Sequence, residues 1–394
     1  MTEAVIRQSL LCVTTAKMTP LILASGALCA GLAAVHLASI LVAIARVRTS
    51  AGARFLADGR AGVSIIRPVC GLENFSEETL GSAFVLDYPH YEIVFCVARS
   101  TDPVVPVVRR LIAEHPHVPA RLLVGNDHVS PNPKLNNIVK GWAAARHDWV
   151  VMADSNVLMP CDYIQRLLAA WRPGTGLVCS PAVGCVPDGL WAELECGFLD
   201  TYQARWQHTA DAFGLGFAQG KTMLWRREIL EAGGGIRALA AEVAEDAAAT
   251  KLVRRLGLRV RLVPASFPQP LGIRTFADVW RRQVRWARLR RDTFMVFFLP
   301  EILAGAVVPF AAAITCAAAA DWPVTGVAAA FLTAWYGAEA MLAHAAGWHL
   351  SWRAPLAWML RDLLLPVLWI TSWMGNDFVW RGNAMRVADR SSSA

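Results

Sequence analysis

Asp102, Asp154 and Asp246 each lie where an apolar run meets a turn or a helical stretch, and Arg285-Trp286 follows all three on a basic segment. Asp102 sits in Ala98-Arg-Ser-Thr-Asp-Pro103, Asp154 in Met152-Ala-Asp-Ser-Asn156, and Asp246 in Val243-Ala-Glu-Asp246. Carboxylates can take a proton or hold a hard divalent cation. An arginine fork suits a diphosphate, and a tryptophan offers a flat apolar face. Each residue also has a plainer reading. Asp before Pro is a common helix cap, and a strand-end Asp-Ser-Asn makes an ordinary turn. Asp246 can answer a helix dipole, and the arginines and tryptophans can anchor an interface.

Position decides which acids matter. Val63–Val69, Tyr91–Val97, Arg121–Val124 and Trp149–Ala153 are predicted strands, and Ser76–Leu86, Pro103–Glu114 and Leu135–Arg146 carry helical spacing between them. Continuous apolar strands alternating with helices imply a mostly parallel α/β sheet covered on both faces. Such sheets bind ligands at the carboxyl ends of their strands, which is where these acids fall.

The chain has 394 residues, 55% hydrophobic and only 18% charged, with a formal charge of +7. That composition excludes disorder and a wholly soluble protein, and it fits a soluble core between membrane segments. Only five of the 38 basic residues are lysine. Nine cysteines without a CxxC spacing give no disulfide framework and no zinc site. Thr19–Ala45 is 27 residues without a charge, enough to span a bilayer. Arg46, Arg48, Arg54 and Arg60 follow it against Asp58, which orients the next segment to the cytoplasm. Ile302–Ala320 and Trp322–Leu350, broken by Glu339, form an expected membrane hairpin. Leu363–Gly375 has 13 residues, about 20 Å of helix, and is expected to be re-entrant or interfacial. A longer helix from Ala354 requires Arg361 and Asp362 to satisfy each other. The expected organisation is a tail (1–18), a membrane helix (19–45), a catalytic unit ending in a basic interfacial segment (46–292), a membrane region (293–375) and a second tail (376–394). Arg288, Arg290 and Arg291 are expected at lipid headgroups.

Six blocks, in order, carry a resemblance: Gly62–Gly71, Leu86-Asp-Tyr-Pro-His-Tyr-Glu92, Asn132-Pro-Lys-Leu-Asn-Asn137, Ala153-Asp-Ser155, Ala244-Glu-Asp246 and Arg282-Gln-Val-Arg-Trp286. Over about residues 60–292 the chain resembles membrane-bound inverting glycosyltransferases of GT-A fold, and within them the ceramide glucosyltransferases. The resemblance implies a nucleotide-sugar-binding mixed sheet with helices on both faces, flanked by N- and C-terminal membrane helices. It assigns Asp102 and Lys134 to the nucleotide, Asp154 to the metal and diphosphate, and Asp246 to the base. Arg282, Arg285 and Trp286 match the closing motif at diphosphate and acceptor. It implies Mg2+ or Mn2+, UDP-glucose as donor and ceramide as acceptor. The partners are then a bilayer and its lipid, with no nucleic acid, and the place is a membrane (the inner one in a bacterium) with the catalytic unit facing the cytoplasm. Three positions depart from the pattern: Asn156 replaces the second acid of an Asp-x-Asp, Cys70 stands where a lysine is common, and Gln203 falls at or near a histidine associated with the active site in animal members, whose role does not carry over.

One base and no enzyme nucleophile imply a single displacement with inversion, by analogy with inverting glycosidases. The alternative is another sugar (galactose, glucuronate or N-acetylglucosamine) on ceramide, or another lipid alcohol such as a hopanoid. A polysaccharide synthase needs more membrane helices than this chain offers.

Overall fold

The computed structural model describes residues 2–48, 61–380 and 383–387, with only the backbone helix given for 2–18. Arg54, Asp58 and Arg60, part of the orientation argument, lie outside the described residues. Nine strands build the catalytic unit: β1 (Val63–Pro68), β2 (Tyr91–Val97), β3 (Ala120–Val124), β4 (Trp149–Ala153), β5 (Thr175–Cys179), β6 (Ala182–Asp188), β7 (Thr222–Arg226), β8 (Arg259–Leu262) and β9 (Phe267–Ile273). Seven of them form one sheet in the order β3-β2-β1-β4-β7-β5-β8, while β6 and β9 pair separately and parallel. β7 runs antiparallel to β4 and β5, so the sheet is mixed.

β1 and β2 are buried along their whole length because both faces are covered. Ile65, Ile93 and Phe95 pack with Val104, Val108 and Leu111 on one face. Ile66, Val94 and Cys96 pack with Leu135, Ile138 and Trp142 on the other. Alternate residues of a strand point to opposite faces, so a doubly covered strand is mostly apolar, and its buried polar residues Ser64, Arg67 and Glu92 are hydrogen-bonded. Gly141 lets the helix Pro133–Ala144 close on the sheet, since a Cβ there would sit 2.6 Å from Ile66 Cγ2 and 2.7 Å from Cys96 Sγ.

Among the described residues, four helices are long and apolar enough to cross a membrane: Thr19–Arg48, Met295–Ala319, Val324–Ala346 and Ala354–Trp373. The first belongs to a helix that starts at Thr2, so the stretch expected as a tail is helical. The last is continuous over 20 residues, longer than the 13-residue apolar run in the sequence. Its charges are neutralised internally. Arg361 donates to Asp362 Oδ1 at 2.8 Å, to Glu339 Oε1 at 2.8 Å and to Thr201 Oγ1 at 2.7 Å. Arg205 stands 3.6 Å from Glu339 and 2.9 Å from His36 Nδ1. Glu339, Arg361, Asp362, Arg205 and His36 are all buried, so this cluster fastens three apolar helices to the catalytic unit. A Glu339→Leu variant leaves two buried guanidinium groups short of a partner. It is expected to lose about 3–5 kcal/mol of stability, read as a lowered Tm in detergent.

On the basic helix Phe276–Thr293, the three arginines expected at headgroups, Arg288, Arg290 and Arg291, bond instead to other parts of the chain. Arg290 makes a two-pronged pair with Glu301 (2.7 and 2.8 Å), Arg291 donates to Ser372 O and Asn376 Oδ1, and Arg288 to Asp377 O. Their partners arrive from later chain, which folds back as a hairpin of β10 (Asp377–Trp380) and β11 (Asn383–Arg386). Phe378, Met385 and Val387 of this segment pack with Val243 and Leu289 of the catalytic unit.

Candidate active site

Strand ends and loop struts position the acids. Asp154 follows β4, and the antiparallel register that faces Ala153 with Thr222 sets Lys221 opposite it, with Asp154 N donating to Lys221 O at 3.0 Å. Arg67, fully buried on β1, shapes the Asp154-Ser-Asn turn. Its guanidinium donates to the carbonyls of Asp154 (3.1 Å), Ser155 (3.1 Å) and Val157 (3.0 Å), and to Thr79 O at 2.7 Å. Those carbonyls point inward, and the side chains of the turn are left for the site.

Lys134 is the hub. Its ammonium meets Asp154 Oδ1 at 2.7 Å, Glu245 Oε1 at 2.6 Å and Gly220 O at 2.6 Å, which uses all three protons. Asn132 caps the Lys134 helix by accepting from Lys134 N and Leu135 N, and its amide donates to Glu245 Oε2 at 2.7 Å. Gly220 N donates to Asp246 Oδ2 at 3.0 Å. A Cβ on Gly220 would lie 2.8 Å from Glu245 Oε1, 2.9 Å from Lys134 Nζ and 3.3 Å from Asp246 Oδ2, so only glycine fits between the three.

Lys221 closes the other side of Asp154, 3.1 Å from Oδ2 and 2.9 Å from Asn156 Oδ1. Asn156 donates in turn to Glu73 Oε2 at 3.1 Å. Two residues before Glu73, Gly71 N donates to Asp102 at 3.0 Å, and Asp102 also accepts from Val104 N at 3.0 Å. Asp102 therefore ties the helix Val104–Glu114 to the loop after β1. A continuous run of hydrogen bonds and short loop steps links Asp102, Asp154 and Asp246.

The electrostatics of the three differ. Burial pushes the Asp154 carboxyl up, but Lys134 and Lys221 outweigh it and hold it below the usual carboxylate range. Burial pulls the Lys134 ammonium down, but Asp154 and Glu245 hold it above the usual lysine range. Asp246 goes the other way: desolvation first and Glu245 second push its carboxyl up to about 6, against the smaller pull of Lys134 and two backbone donors.

The motif on the basic helix stands apart from this network and reaches it through packing. Arg282 pairs with the buried Glu195, which Arg274 also meets at 3.2 Å. The Arg285 guanidinium lies over the Trp380 ring, 5.5 Å from its centre, beside the cluster that includes Val243. Trp286 is half-buried against Ala182, Ala192, Cys196, Leu199 and Leu271. Asn74 donates to Leu271 O at 2.8 Å and so ties that cluster to the Glu73 loop.

Sequence reasoning assigned no place in the site to Lys221, Gly220, Asn132, Glu73 or Glu245. Two of the chain's five lysines meet at Asp154, and that scarcity was the available signal. Among the described residues no group of three His, Cys, Asp or Glu side chains could hold a metal ion. The oxygen pair Asp154 Oδ2 and Asn156 Oδ1 shares the Lys221 ammonium, a cation seated between two hard oxygens.

The profile of glycosyl transferase family 21 matches residues 29–392. The chain belongs to that family. It is a glycosyltransferase, and its mixed sheet is of the GT-A type. The sequence is similar to a ceramide glucosyltransferase of Komagataella phaffii, 24% identical over 83% of this chain and 82% of the relative. It is also similar to ceramide glucosyltransferase 3 of Caenorhabditis elegans, 25% identical over 83% of this chain and 73% of the relative. Among solved structures, a mannosyltransferase of Pyrobaculum calidifontis in complex with GDP-Man and Mn2+ has a TM-score of 0.51 and 20% identity, covering 89% of this chain and 98% of that one. That likeness is one of fold.

Proposed function

We propose that this family 21 glycosyltransferase is a ceramide glucosyltransferase, which moves glucose from UDP-glucose to the primary hydroxyl of ceramide with inversion. The observation that carries the chemistry is the Asp246 carboxyl, raised to about 6 and held by Gly220 N beside the Lys134-braced pair of Asp154 and Glu245. A primary alcohol is too weak an acid to attack unaided, and a carboxylate of that basicity can accept its proton near neutral pH. As the hydroxyl oxygen bonds to the anomeric carbon, the bond to UDP breaks and UDP departs with its electron pair. Attack from the opposite face turns an α-linked donor into a β-glucoside.

Asp154 and Asn156 offer hard oxygens of the kind that hold Mg2+ or Mn2+, and Lys221 already seats a cation there. Such a cation supplies positive charge to the departing diphosphate. Arg285, over the Trp380 ring on the neighbouring basic helix, carries the permanent charge that the motif assigns to the same oxygens, and Asp102 braces the loop after β1. Both ends of the terminal apolar helix meet the catalytic unit, through Ser351 to Glu193 (2.8 Å) and through Ser372 to Arg291. These contacts support a catalytic unit and a C-terminal hairpin on one side of the membrane, and Arg46 and Arg48 after the first apolar helix favour the cytoplasmic side for both. Cysteine labelling at position 384 from the cytoplasmic face is the expected result, and labelling only from the far face overturns it.

The deciding experiment is mass spectrometry of lipids formed when the protein is expressed with ceramide and UDP-glucose, with separation of the glucosyl and galactosyl products. Glucosylceramide is the expected product. A different hexose, or a lipid without a sphingoid base, overturns the assignment.

A further inference from the structure

Beside Trp286 lies a cluster of buried polar side chains that the transfer chemistry above does not use. Its floor is the β6–β9 pair, where Gly184 faces Gln269 in register and Gly184 N donates to Asp200 Oδ1 at 2.6 Å. Gln269 leaves β9 on the same face as Leu271, two residues on, and Leu271 packs with Leu199 and Trp286. One wall is the π-helical turn Phe198–Ala204, which carries Asp200 and Gln203. The other is the basic helix, where Gln283 sits one turn before Trp286 and accepts from Gln203 Nε2 at 2.9 Å.

Asp200, Gln269 and Gln283 are 2%, 1% and 0% exposed, yet much of their polar character is unused. Among the described residues, Asp200 Oδ2, both amide atoms of Gln269 and Gln283 Nε2 have no hydrogen-bond partner. A buried polar atom left unmatched costs about 1–3 kcal/mol, and four in one place demand an explanation. Burial with no cation at hand holds the Asp200 carboxyl well above the usual carboxylate range, so its Oδ2 can carry a proton and donate. π-Helical turns of this kind are frequent at functional sites.

The cluster's place points to what it can bind. Leu158, four residues after Asp154, donates through its backbone to Pro268 O at 3.0 Å, which sets the cluster beside the loop after β4. On the other side Thr201, next to Asp200, takes the hydrogen bond from Arg361 of the terminal apolar helix. The unmatched groups thus lie between the acids that handle the donor and the helices that meet the bilayer. They comprise amide donors, an amide acceptor and a carboxyl, the complement of a ligand that presents an amide and a hydroxyl.

We propose that Asp200, Gln269 and Gln283 form the seat for the polar head of the lipid acceptor, binding its amide and secondary hydroxyl while Trp286 covers the adjoining carbons. This rests on the ceramide reading and adds to it the residues that set acceptor choice. The amide of Gln269 can donate to the lipid carbonyl and accept from the lipid N–H, and a glyceride lacks that pair. Selectivity follows because a site built to pair polar groups rejects a ligand that leaves them unpaired.

The test uses the full chain in nanodiscs, with short-chain ceramide and a diacylglycerol of matched chain length as acceptors. Gln269→Met keeps the length of the side chain and removes both amide atoms. The expected result is a rise of tenfold or more in the KM for ceramide, with the KM for UDP-glucose and the affinity for UDP within twofold of the parent. The parent's preference for ceramide over diacylglycerol should shrink by the same factor. An unchanged ceramide KM with a lowered Tm would make Gln269 a water-binding structural residue and overturn the proposal. A rise confined to the UDP-glucose KM would assign the cluster to the sugar and overturn it equally. If the parent protein itself turns over no ceramide, the ceramide reading falls and the seat falls with it. Asp200→Asn, which keeps the Oδ1 acceptor for Gly184 N, should reproduce the acceptor effect independently of the Gln269 site.

Discussion

Replacing Asp246 with Asn is expected to cut transfer by about 10²–10⁴-fold while UDP-glucose binding survives. The amide keeps the shape of the carboxyl and an oxygen for the Gly220 N–H, so the backbone contact remains. What it loses is the ability to take the acceptor's proton. The parent should show the base in its pH profile. A base must be ionised to act, so kcat/KM should be flat above pH 6 and fall about tenfold per unit below it, following the raised carboxyl. In Asp246→Asn the residual rate should lack that limb. Steady-state kinetics across pH 5–8 with a parallel UDP-glucose titration reads both. Turnover near the parent level, or an acid limb that persists in the variant, rejects Asp246 as base.

Lys134→Met is expected to destabilise the protein by about 3–5 kcal/mol and to abolish measurable donor binding. Its ammonium is the shared partner of Asp154 and Glu245, and Gly220 O depends on it as well. Removing a buried cation from two carboxylates leaves charge that water cannot easily reach, which costs far more than the pair contributes in isolation. Lys221→Met makes the informative control. Its ammonium is more exposed and touches Asp154 and Asn156 alone, so donor affinity should fall with a smaller loss of stability. Thermal unfolding in detergent and UDP-glucose titration separate the two. A Lys134→Met protein that binds donor normally would remove the residue from the centre of the site.

The catalytic half of the chain was legible because its physics is local. β1, β2 and β4 are mostly apolar and buried on both faces, and the aspartates that follow β2 and β4 stand at the ends where a parallel sheet exposes ligand sites. Lys221 was not legible, because its meeting with Asp154 depends on β7 pairing antiparallel with β4, and register is set by distant packing. The terminal helix was foreshortened for a similar reason. A hydropathy count charges Arg361 and Asp362 in full, whereas Glu339, 22 residues earlier, joins them and removes the penalty. The basic helix misled in the opposite direction. Its arginines have the spacing of a headgroup anchor, and their acceptors at Glu301, Ser372 and Asp377 come from chain whose return the pattern does not announce.

The hairpin that places Trp380 over Arg285 and packs Phe378 beside Val243 comes after every apolar helix in chain order. During synthesis the sheet and its acids can fold first, but the motif arginine gains its aromatic support only after the last of those helices has left the ribosome. Completion of this corner of the fold is thereby ordered behind the synthesis of the last apolar helix, so a chain still being made lacks it.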